Sequence, residues 1–374
     1  MSSLLFFASF NMLIPELPEY LTNLGGGEYK GFIISVFTLT AMLSRPFSGK
    51  LADRIGRVPV MMAGSIVCFI CSLIYPVLTS VAGFLMLRFV HGFSTGFTPT
   101  GQTAYLSDII PANRRGEAMG LLGTAGTVGM ASGPALGGTL ANHFGLNAMF
   151  YCSSAFGILS VLILLGIKET VTDKHAFHYR LLKVKKADLF EPRVWKPCLV
   201  MVLCAFAYGA VYTIIPDFGQ FVGVKNKGLL FTYLTVSILF VRLIGGKASD
   251  QWGRQPVLII STLLITSAMF IIGLATTSFQ LILGVTLYGL GHGATSPTLL
   301  AWATDLSDEH HKGRGVASLY IFMELGIGLG ALLSGFIYSN NSSNFFITFF
   351  TCSVLSVSAF LYLIFSRKSV QSIA

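Results

Sequence analysis

Long apolar segments are the feature that most constrains the fold of this chain. Twelve stretches have the roughly 20 mostly apolar residues that a helix needs to cross a lipid bilayer. Because lipid offers the backbone no hydrogen-bond partners, such segments cross it as helices. The sequence therefore predicts an all-α membrane protein with twelve transmembrane helices. Their expected bounds are 2–21, 31–49, 59–79, 81–106, 116–140, 146–167, 195–220, 228–248, 256–276, 278–304, 314–338 and 344–366.

Charge and cysteine usage agree with a lipid environment. Charged residues make up 11% of the chain, against about 25% in soluble domains, and so few cannot cover a water-facing surface. The six cysteines lie mostly in apolar runs, and Cys68 and Cys71 form a CxxC pair without a second pair. Such cysteines are typical of small buried residues rather than of metal or redox sites. We therefore expect no metal and no cofactor.

Lysine and arginine are distributed unequally between the loops that join the apolar segments. If both termini are cytosolic, the outer loops hold only Lys30, Lys225 and Lys227. The positive-inside rule then predicts a multi-pass protein of the cell inner membrane with both termini in the cytosol. The net charge of +9 is a topological signal facing anionic lipid, so no nucleic acid partner is expected. The inner loops hold the basic stretch 168–196 and Lys50, Arg54, Arg57, Arg114, Arg115, Lys247, Arg254, Lys312, Arg314, Arg367 and Lys368.

A charged sequence motif occurs in two similar copies that are 197 positions apart. Residues 49–57 have the sequence GKLADRIGR, and residues 246–254 have the sequence GKASDQWGR. Because further short features recur in the same order, we infer two copies of a six-helix unit, an architecture known in transporters. The matching features are Pro15-Glu16 with Pro216-Asp217, Thr98-Pro99-Thr100 with Ser296-Pro297-Thr298, and Asp108 with Asp305. The predicted parts are an N-terminal bundle 1–167, a basic cytosolic linker 168–194 and a C-terminal bundle 195–374.

Three motifs resemble those of one transporter family. GKLADRIGR resembles the loop motif of the major facilitator superfamily, LRFVHGFSTG at 87–96 resembles its span 4 arginine motif, and GMASGPALGG at 129–138 resembles the span 5 motif of its exporters. DIIPANRRGEAMG at 108–120 is most similar to bacterial drug:proton antiporters and sugar-efflux proteins. The resemblance implies a secondary active transporter that exports its substrate against protons by alternating access, but it does not identify the substrate. We expect a small amphipathic or drug-like molecule. An importer, or a sugar, metabolite or lipid transporter on the same fold, is the alternative.

The repeated charged loop is the first candidate site. Gly49 and Gly56 allow a tight turn, and Asp53 falls near the start of the third span, where a helix N-terminus favours an anion. We expect a charge cluster that must break when the transporter opens; the alternative is that these charges only set topology. The second copy is expected to be weaker, since Gln251 and Trp252 replace a basic and an apolar residue. The candidate gating residues are Gly49, Asp53, Arg54, Gly56, Arg57, Asp108, Arg115, Gly246, Asp250 and Arg254.

A stripe of small residues in the fifth span is the second candidate. Gly129, Gly133 and Gly137 recur every four residues and leave one helix face bare, so another helix can approach closely. Pro134 adds a kink, and Gly138 completes the motif. Ordinary helix packing explains such a stripe. The functional alternative is that it forms the contact between the two halves that changes during transport.

Ionisable residues that the two copies do not share are the third candidates. Arg88 and Glu324 fall deep within the fourth and eleventh spans, where charges are costly and usually line a cavity or carry protons. We expect Glu324 to carry the coupling proton and Arg88 to tune it; a polar contact between helices is the alternative for Glu324. Lesser candidates are Glu16, Asp217 and His292, of which the two acids can equally lie at the membrane surface. A histidine in such a helix is more often simply hydrogen-bonded.

Two other functional classes find little support in the sequence. A channel needs repeated polar rings along a pore, and no span carries a continuous polar stripe. A membrane enzyme needs a nucleophile or a metal set, and neither H-E-x-x-H nor G-x-S-x-G occurs. The expected partners are a small-molecule substrate, protons and the lipid bilayer, and we expect the chain to act as a monomer rather than as an enzyme.

Overall fold

A computed structural model describes residues 1–109, 115–171, 176, 178, 190–307 and 312–371. Side chains at 53, 107, 115–120, 243–247, 250, 304, 312–314, 317 and 367–371 lie outside this description. Within the described ranges all regular elements are helical, so the predicted all-α class is confirmed. The helices are α1 Ser2–Leu13, α2 Leu17–Asn23, α3 Lys30–Arg54, α4 Arg57–Ile74, α5 Val81–Ile109, α6 Arg115–Phe144, α7 Leu146–Leu165, α8 Trp195–Phe221, α9 Gly228–Trp252, α10 Arg254–Gly273, α11 Ser278–Leu306, α12 Lys312–Tyr338 and α13 Phe345–Gln371.

Each predicted span overlaps with helix in the structure, although the bounds differ. Among the described residues, seven helical segments are long and apolar enough to cross a membrane by length and composition alone. Two shorter apolar helices, Ser2–Leu13 and Gly228–Arg242, add to them. The chain is therefore a multi-pass helical protein, and the count of twelve spans stays a prediction. The seven segments are Gly27–Ala52, Arg57–Val77, Leu146–Leu165, Pro192–Phe221, Arg254–Gly273, Ser318–Tyr338 and Ser342–Ser366.

The first predicted span is not one continuous helix. The sequence predicts helix over 2–21, whereas α1 ends at Leu13 and α2 begins at Leu17. Pro15 lies in the intervening turn, and Pro18 occupies an early position of α2, where its missing N–H costs nothing. The equivalent Pro216 lies inside the unbroken α8. The same residue in the two copies thus interrupts one helix and not the other.

The chain divides into two compact units. Unit 1 comprises Met1–Gly26 and Val36–Leu189, and unit 2 comprises Gly27–Ser35 and Phe190–Ala374. In unit 1, α1 packs on α6 and α7, while α4 packs on α5 and α7. In unit 2, α8 packs on α12 and α13, while α10 packs on α11 and α13. The neighbours thus correspond helix by helix in the two units. The boundaries at 167 and 195 stay predictions.

Hydroxyl groups join α1, α4 and α7 in the core of unit 1. Each helix contributes two serines seven residues apart, so both lie on one helix face. One layer joins Ser160 to Ser2 at 2.9 Å and to Ser65 at 3.3 Å. The other joins Ser153 to Ser72 at 2.9 Å and to Ser9 at 3.2 Å. We call these six residues the serine layers: Ser2, Ser65 and Ser160, with Ser9, Ser72 and Ser153.

Candidate functional site

The N-terminus of α4 is capped by a carboxylate from a distant part of the chain. Glu169, just beyond the end of α7, accepts hydrogen bonds from the backbone N–H groups of Arg57 and Val58, each at 3.0 Å. It also accepts from Thr170 N at 2.8 Å and Val171 N at 3.2 Å. Partial burial alone would raise the pKa of Glu169, but these backbone donors outweigh it, and the pKa lies below its ordinary value. The helix start therefore holds a stable anion.

A second carboxylate extends this cluster. Asp108 accepts a hydrogen bond from Arg57 Nε at 3.1 Å and another from the hydroxyl of Thr170 at 2.7 Å. Two predicted gating residues, Arg57 and Asp108, are thus paired. The sequence did not identify Glu169 and Thr170, whose only signal is an acidic residue directly after a helix end. We call Arg57, Asp108, Glu169 and Thr170 the first charge cluster.

Two gating residues lie elsewhere than expected. Asp53 is in the last turn of α3 rather than at the start of α4, and its side chain lies outside the described residues. Gly49 lies inside α3 with open space where a Cβ would project, so it makes neither a turn nor a close approach. Gly56 makes the turn, at φ +133°. A Cβ there would also meet Glu169 Oε2 at 2.3 Å, which is why the turn requires glycine.

The remaining residues of the first loop are less informative. Arg54 is exposed at the end of α3. Arg115 begins α6, and its side chain is outside the described set.

The second copy repeats the ion pair without the cap. Arg254 Nε lies 2.9 Å from Asp305 Oδ2, and its Nη1 donates to Ser249 Oγ at 2.9 Å. Gly253 makes the turn at φ +87°, and as the residue before α10 it supplies no side-chain cap itself. Gly246 and Asp250 lie on α9, but the structure does not describe their side chains. Both copies therefore contain an Arg–Asp pair among the described residues, and in the first copy a carboxylate also lies at the helix start.

The glycine stripe of α6 packs on α1. A Cβ on Gly129, Gly133 or Gly137 would lie 2.1 to 2.6 Å from a carbonyl oxygen of α1. Since both helices belong to unit 1, this close contact lies within one unit, and the functional alternative for the stripe stays a prediction. Pro134 and Gly138 are buried beside it, and α6 continues through the proline. Close packing inside one unit explains the motif.

Unit 2 contains the same kind of contact. A Cβ on Gly326 of α12 would lie 2.6 Å from the Val202 carbonyl oxygen, and one on Gly330 would lie 2.0 Å from that of Phe206, both on α8. The run GIGLGALLSG at 326–335 therefore belongs to a helix contact equivalent to that of α6 with α1.

Arg88 is buried in a polar network of unit 1, with 1% of its surface exposed. Its guanidinium lies 4.4 Å above the ring of Phe37, and its Nη1 donates to the hydroxyl of Tyr75 at 3.4 Å. That hydroxyl lies 3.3 Å from His91 Nδ1, and His91 Nε2 lies 3.4 Å from Cys68 Sγ. The network holds the cation in the buried core of unit 1.

Two of the three candidate acids are buried, and the third, Asp217, is half-buried. Glu16 lies between α1 and α2 with 5% of its surface exposed, and Glu324 lies in α12 with 7%. Asp217 of α8 forms an ion pair with Lys30 at the start of α3, whose Nζ lies 5.8 Å from the Tyr338 ring centroid. Unit 2 contains all three of these residues, Lys30, Asp217 and Tyr338. The sequence counted Lys30 only as an outer-loop charge and did not identify it as the partner of Asp217.

His292 lies among aromatic rings rather than in a hydrogen-bond network. Its ring centroid is 4.7 Å from that of Tyr208 and 5.6 Å from that of Tyr288. Its Nδ1 is buried and has no hydrogen-bond partner within the described part of the chain. The general expectation for helix histidines fits His91 but not this nitrogen. Among the described residues, no group of three or more His, Cys, Asp and Glu is arranged to hold a metal ion.

A sequence model of the Major Facilitator Superfamily matches residues 1–240 and, separately, residues 198–373. The chain belongs to the major facilitator superfamily. The resemblance of its motifs is therefore confirmed, and the protein is a multi-pass membrane protein of a transporter family rather than of an enzyme family. The two overlapping matches, which begin near the starts of the two copies, agree with the internal repeat.

Curated members of the superfamily match along most of the chain. Multi-drug resistance efflux pump PmrA of Streptococcus pneumoniae is 26% identical over 337 residues, covering 87% of this chain and 84% of the pump. Multidrug resistance protein MdtG of Salmonella arizonae is 28% identical over 343 residues, covering 87% and 84%. Among solved structures, a bacterial homologue of the human lysosomal transporter Spinster superposes with a TM-score of 0.81 at 16% identity, covering 98% and 95%. That structural likeness supports the fold alone.

Proposed function

We propose that this protein exports small amphipathic molecules from the cytosol in exchange for protons, by alternating access. In this proposal twelve helices cross the inner membrane, both termini are cytosolic and the monomer is the working unit. The observation that carries the direction of transport is the similarity to PmrA and MdtG, both named for multidrug resistance, over 87% of the chain.

Buried acids support coupling to protons. Glu324 lies in a helical segment that is long and apolar enough to cross a membrane, and 7% of the surface of this residue is exposed. An ionisable side chain at such a position is costly in lipid and is typical of proton and ion pathways. Its equivalent in unit 1 falls near Thr124 and Ala125, so the acid is not part of the shared scaffold. We assign the coupling proton to Glu324 and keep Glu16 and Asp217 as the next candidates.

The Arg–Asp pairs support a latch at the loop ends of the two units. Arg57 pairs with Asp108, and Arg254 pairs with Asp305. In the proposal these pairs stabilise one state of the cycle and break in the other. The first charge cluster is the stronger latch, because Glu169 and Thr170 add hydrogen bonds to it.

Flux into proteoliposomes tests the proposal. Vesicles are loaded with an aromatic solute panel that includes anionic, neutral and cationic members, and a pH gradient of either sign is imposed. Solute should move against its own concentration gradient while protons move down theirs in the opposite direction. Glu324→Gln should abolish this uphill movement while keeping downhill exchange. Glu19→Gln, an exposed acid of α2, is the matched control.

Two results would contradict the assignment. Wild-type flux that is insensitive to the pH gradient for every solute rules out proton coupling. Uphill transport by Glu324→Gln with an unchanged pH profile moves the coupling site to another acid.

A further inference from the structure

A stack of aromatic rings lies where α8 and α11 of unit 2 meet. The rings of Tyr208 and Tyr212 are 4.3 Å apart with an interplanar angle of 28°. The His292 ring lies 4.7 Å from that of Tyr208 at 25° and 5.6 Å from that of Tyr288 at 24°. The planes are therefore nearly parallel, and the stack presents flat faces of one orientation. Planar aromatic groups pack well on such faces.

The stack has an accessible edge and unmet polar atoms. Tyr208 and His292 are half-buried, whereas Tyr212 and Tyr288 are buried. His292 Nδ1 and the Tyr288 hydroxyl are buried without hydrogen-bond partners in the described part of the chain. Buried polar atoms normally have partners, so two orphans in one stack require an explanation. A ligand, or a water that it brings, would supply the missing bonds.

Arg242 gives the stack a positive charge. This residue of α9 is exposed, and its guanidinium interacts electrostatically with Tyr208 and with His292. A guanidinium is a planar, bidentate donor for a carboxylate, so an acidic group on a ring stacked here would be complementary in charge and shape to Arg242.

The stack has no equivalent in unit 1. With the offset of the paired prolines, Tyr208 and Tyr212 correspond to Phe7 and Asn11. His292 corresponds to Ser94 when the offset of the Thr-Pro-Thr and Ser-Pro-Thr sites is applied. The scaffold therefore does not require these rings, in contrast to Arg242, which Arg45 matches in the first copy. A feature confined to one unit is suited to a task rather than to the fold.

We propose that Tyr208, His292 and Arg242 form a subsite in unit 2 for planar aromatic molecules that carry an acidic group. The aromatic ring stacks on Tyr208 and His292, and the acidic group pairs with the guanidinium of Arg242. This inference rests on the proposed function and names the substrate class of that transporter.

Direct binding to the purified full-length protein, without any gradient, tests the subsite. The probes are radiolabelled 2-naphthoate, 2-naphthylmethylammonium with the same ring and the opposite charge, and decalin-2-carboxylate with the charge but no planar ring. Naphthoate should bind at least about tenfold more tightly than either of the others. Arg242→Gln should weaken naphthoate binding about tenfold, and Arg242→Lys should weaken it less.

Ring variants separate stacking from folding. Tyr208→Leu should weaken naphthoate binding, whereas Tyr208→Phe keeps the ring and should bind almost normally. Tyr233→Leu, an exposed residue of the same helix as Arg242, is the control for a lost aromatic side chain. Thermal unfolding of each variant shows whether a loss of binding comes from misfolding. If Tyr208→Leu or Arg242→Gln is misfolded, the binding of naphthoate to Tyr208→Phe and Arg242→Lys decides whether the subsite exists.

The outcomes distinguish this inference from the proposed function. Tighter binding of the ammonium probe, no measurable naphthoate binding, or naphthoate binding that Arg242→Gln leaves unchanged overturns the subsite. Arg242-dependent naphthoate binding without any proton-driven flux supports the subsite and contradicts proton-coupled export. Proton-driven flux of other solutes without such binding supports proton-coupled export and contradicts the subsite.

Discussion

The two units use the same helix neighbours but different core chemistry. In unit 1, hydrogen bonds within each of the two serine layers join α1, α4 and α7. The equivalent helices of unit 2 are α8, α10 and α13, and the residues that correspond to Ser9, Ser72 and Ser160 are apolar. These are Ala210, Met269 and Ala359, all fully buried. At these three positions, hydrogen-bonded hydroxyls in unit 1 are replaced by apolar side chains in unit 2. Unit 2 has hydroxyl contacts at other positions, such as Thr295 with Ser261.

The helix starts that follow the charged loops differ in the same way. Glu169 caps α4 in unit 1, and the described residues of unit 2 show no equivalent carboxylate at the start of α10. The shared features are the Arg–Asp pair, the turn glycine and the glycine contacts between helices. Shared features define the fold of the repeat, and the polar additions distinguish unit 1. Variants in matched positions can test this division.

The glycine contacts should show the largest effect, and it should be the same in both units. Gly133→Leu forces a side chain against the Ala8 carbonyl, and Gly330→Leu forces one against that of Phe206. Overpacking of this kind costs about 3 kcal/mol, so both variants should unfold at clearly lower temperature in detergent and lose transport. Gly123→Leu, on α6 with open space around it, is the control and should behave as wild type.

A marked difference between Gly133→Leu and Gly330→Leu would contradict the division into shared and added features. It would mean that one of the two contacts can adapt by shifting its helix.

The sequence predicted those features that the lipid solvent or the repeat imposes. Apolar length fixes helices, because an unpaired backbone cannot lie in lipid. The sequence placed Arg57 and Asp108 in one charge cluster and matched Asp108 with Asp305, but it did not name the pair of Arg254 with Asp305. The family followed from the same motifs.

Contacts between distant residues could not be predicted in this way. Glu169 lies 112 residues from Arg57, and Lys30 lies 187 residues from Asp217. No local pattern specifies which helix start an acid will reach, or that an outer-loop lysine will be buried. The break at Pro15 depends equally on context, because Pro216 leaves α8 continuous.

The next test concerns the cap on α4, a feature of unit 1. Glu169→Gln removes the charge that accepts four backbone hydrogen bonds, and losing a cap costs about 1 kcal/mol. The pKa of Glu169 is lowered in the folded protein, so its contribution is present above the ordinary carboxyl pKa and is lost as pH falls through the lowered value. Thermal unfolding from pH 7 into the acid range measures both.

Wild type should therefore lose more stability on acidification than Glu169→Gln does, and the two curves should converge at low pH. Parallel curves would mean that Glu169 titrates alike in the folded and unfolded states and is not a charged cap.

The paired aspartates should show a smaller effect on stability and an unequal effect on transport. Asp108→Asn and Asp305→Asn each weaken a partly exposed ion pair, which contributes at most about 1 kcal/mol. Such a change shifts a two-state equilibrium about fivefold. Transport should fall further in Asp108→Asn, because Asp108 also accepts from Thr170. Initial flux rates at equal membrane abundance measure this, and equal losses would contradict the stronger latch in unit 1.

The serine layers should show the smallest single effects and the clearest coupling. A hydrogen bond between membrane helices contributes about 0.6 kcal/mol on average, because hydroxyl groups also find partners in the unfolded state. Ser9→Ala and Ser153→Ala should each lower stability by about that amount. The double variant should cost less than the sum, because the two residues are in direct contact and each hydroxyl donates to the backbone carbonyl of the other, at 2.7 and 2.8 Å. Cys352 of α13 corresponds to Ser153 and is also buried. Ala210→Ser and Cys352→Ser install the equivalent pair in unit 2, whose core is already closed by apolar packing. These changes should stabilise it little or not at all. If the installed pair stabilises unit 2 as much as the native pair stabilises unit 1, the hydroxyls are interchangeable packing groups rather than a polar contact specific to unit 1. Steric-trap or thermal unfolding of the four single and two double variants measures both couplings.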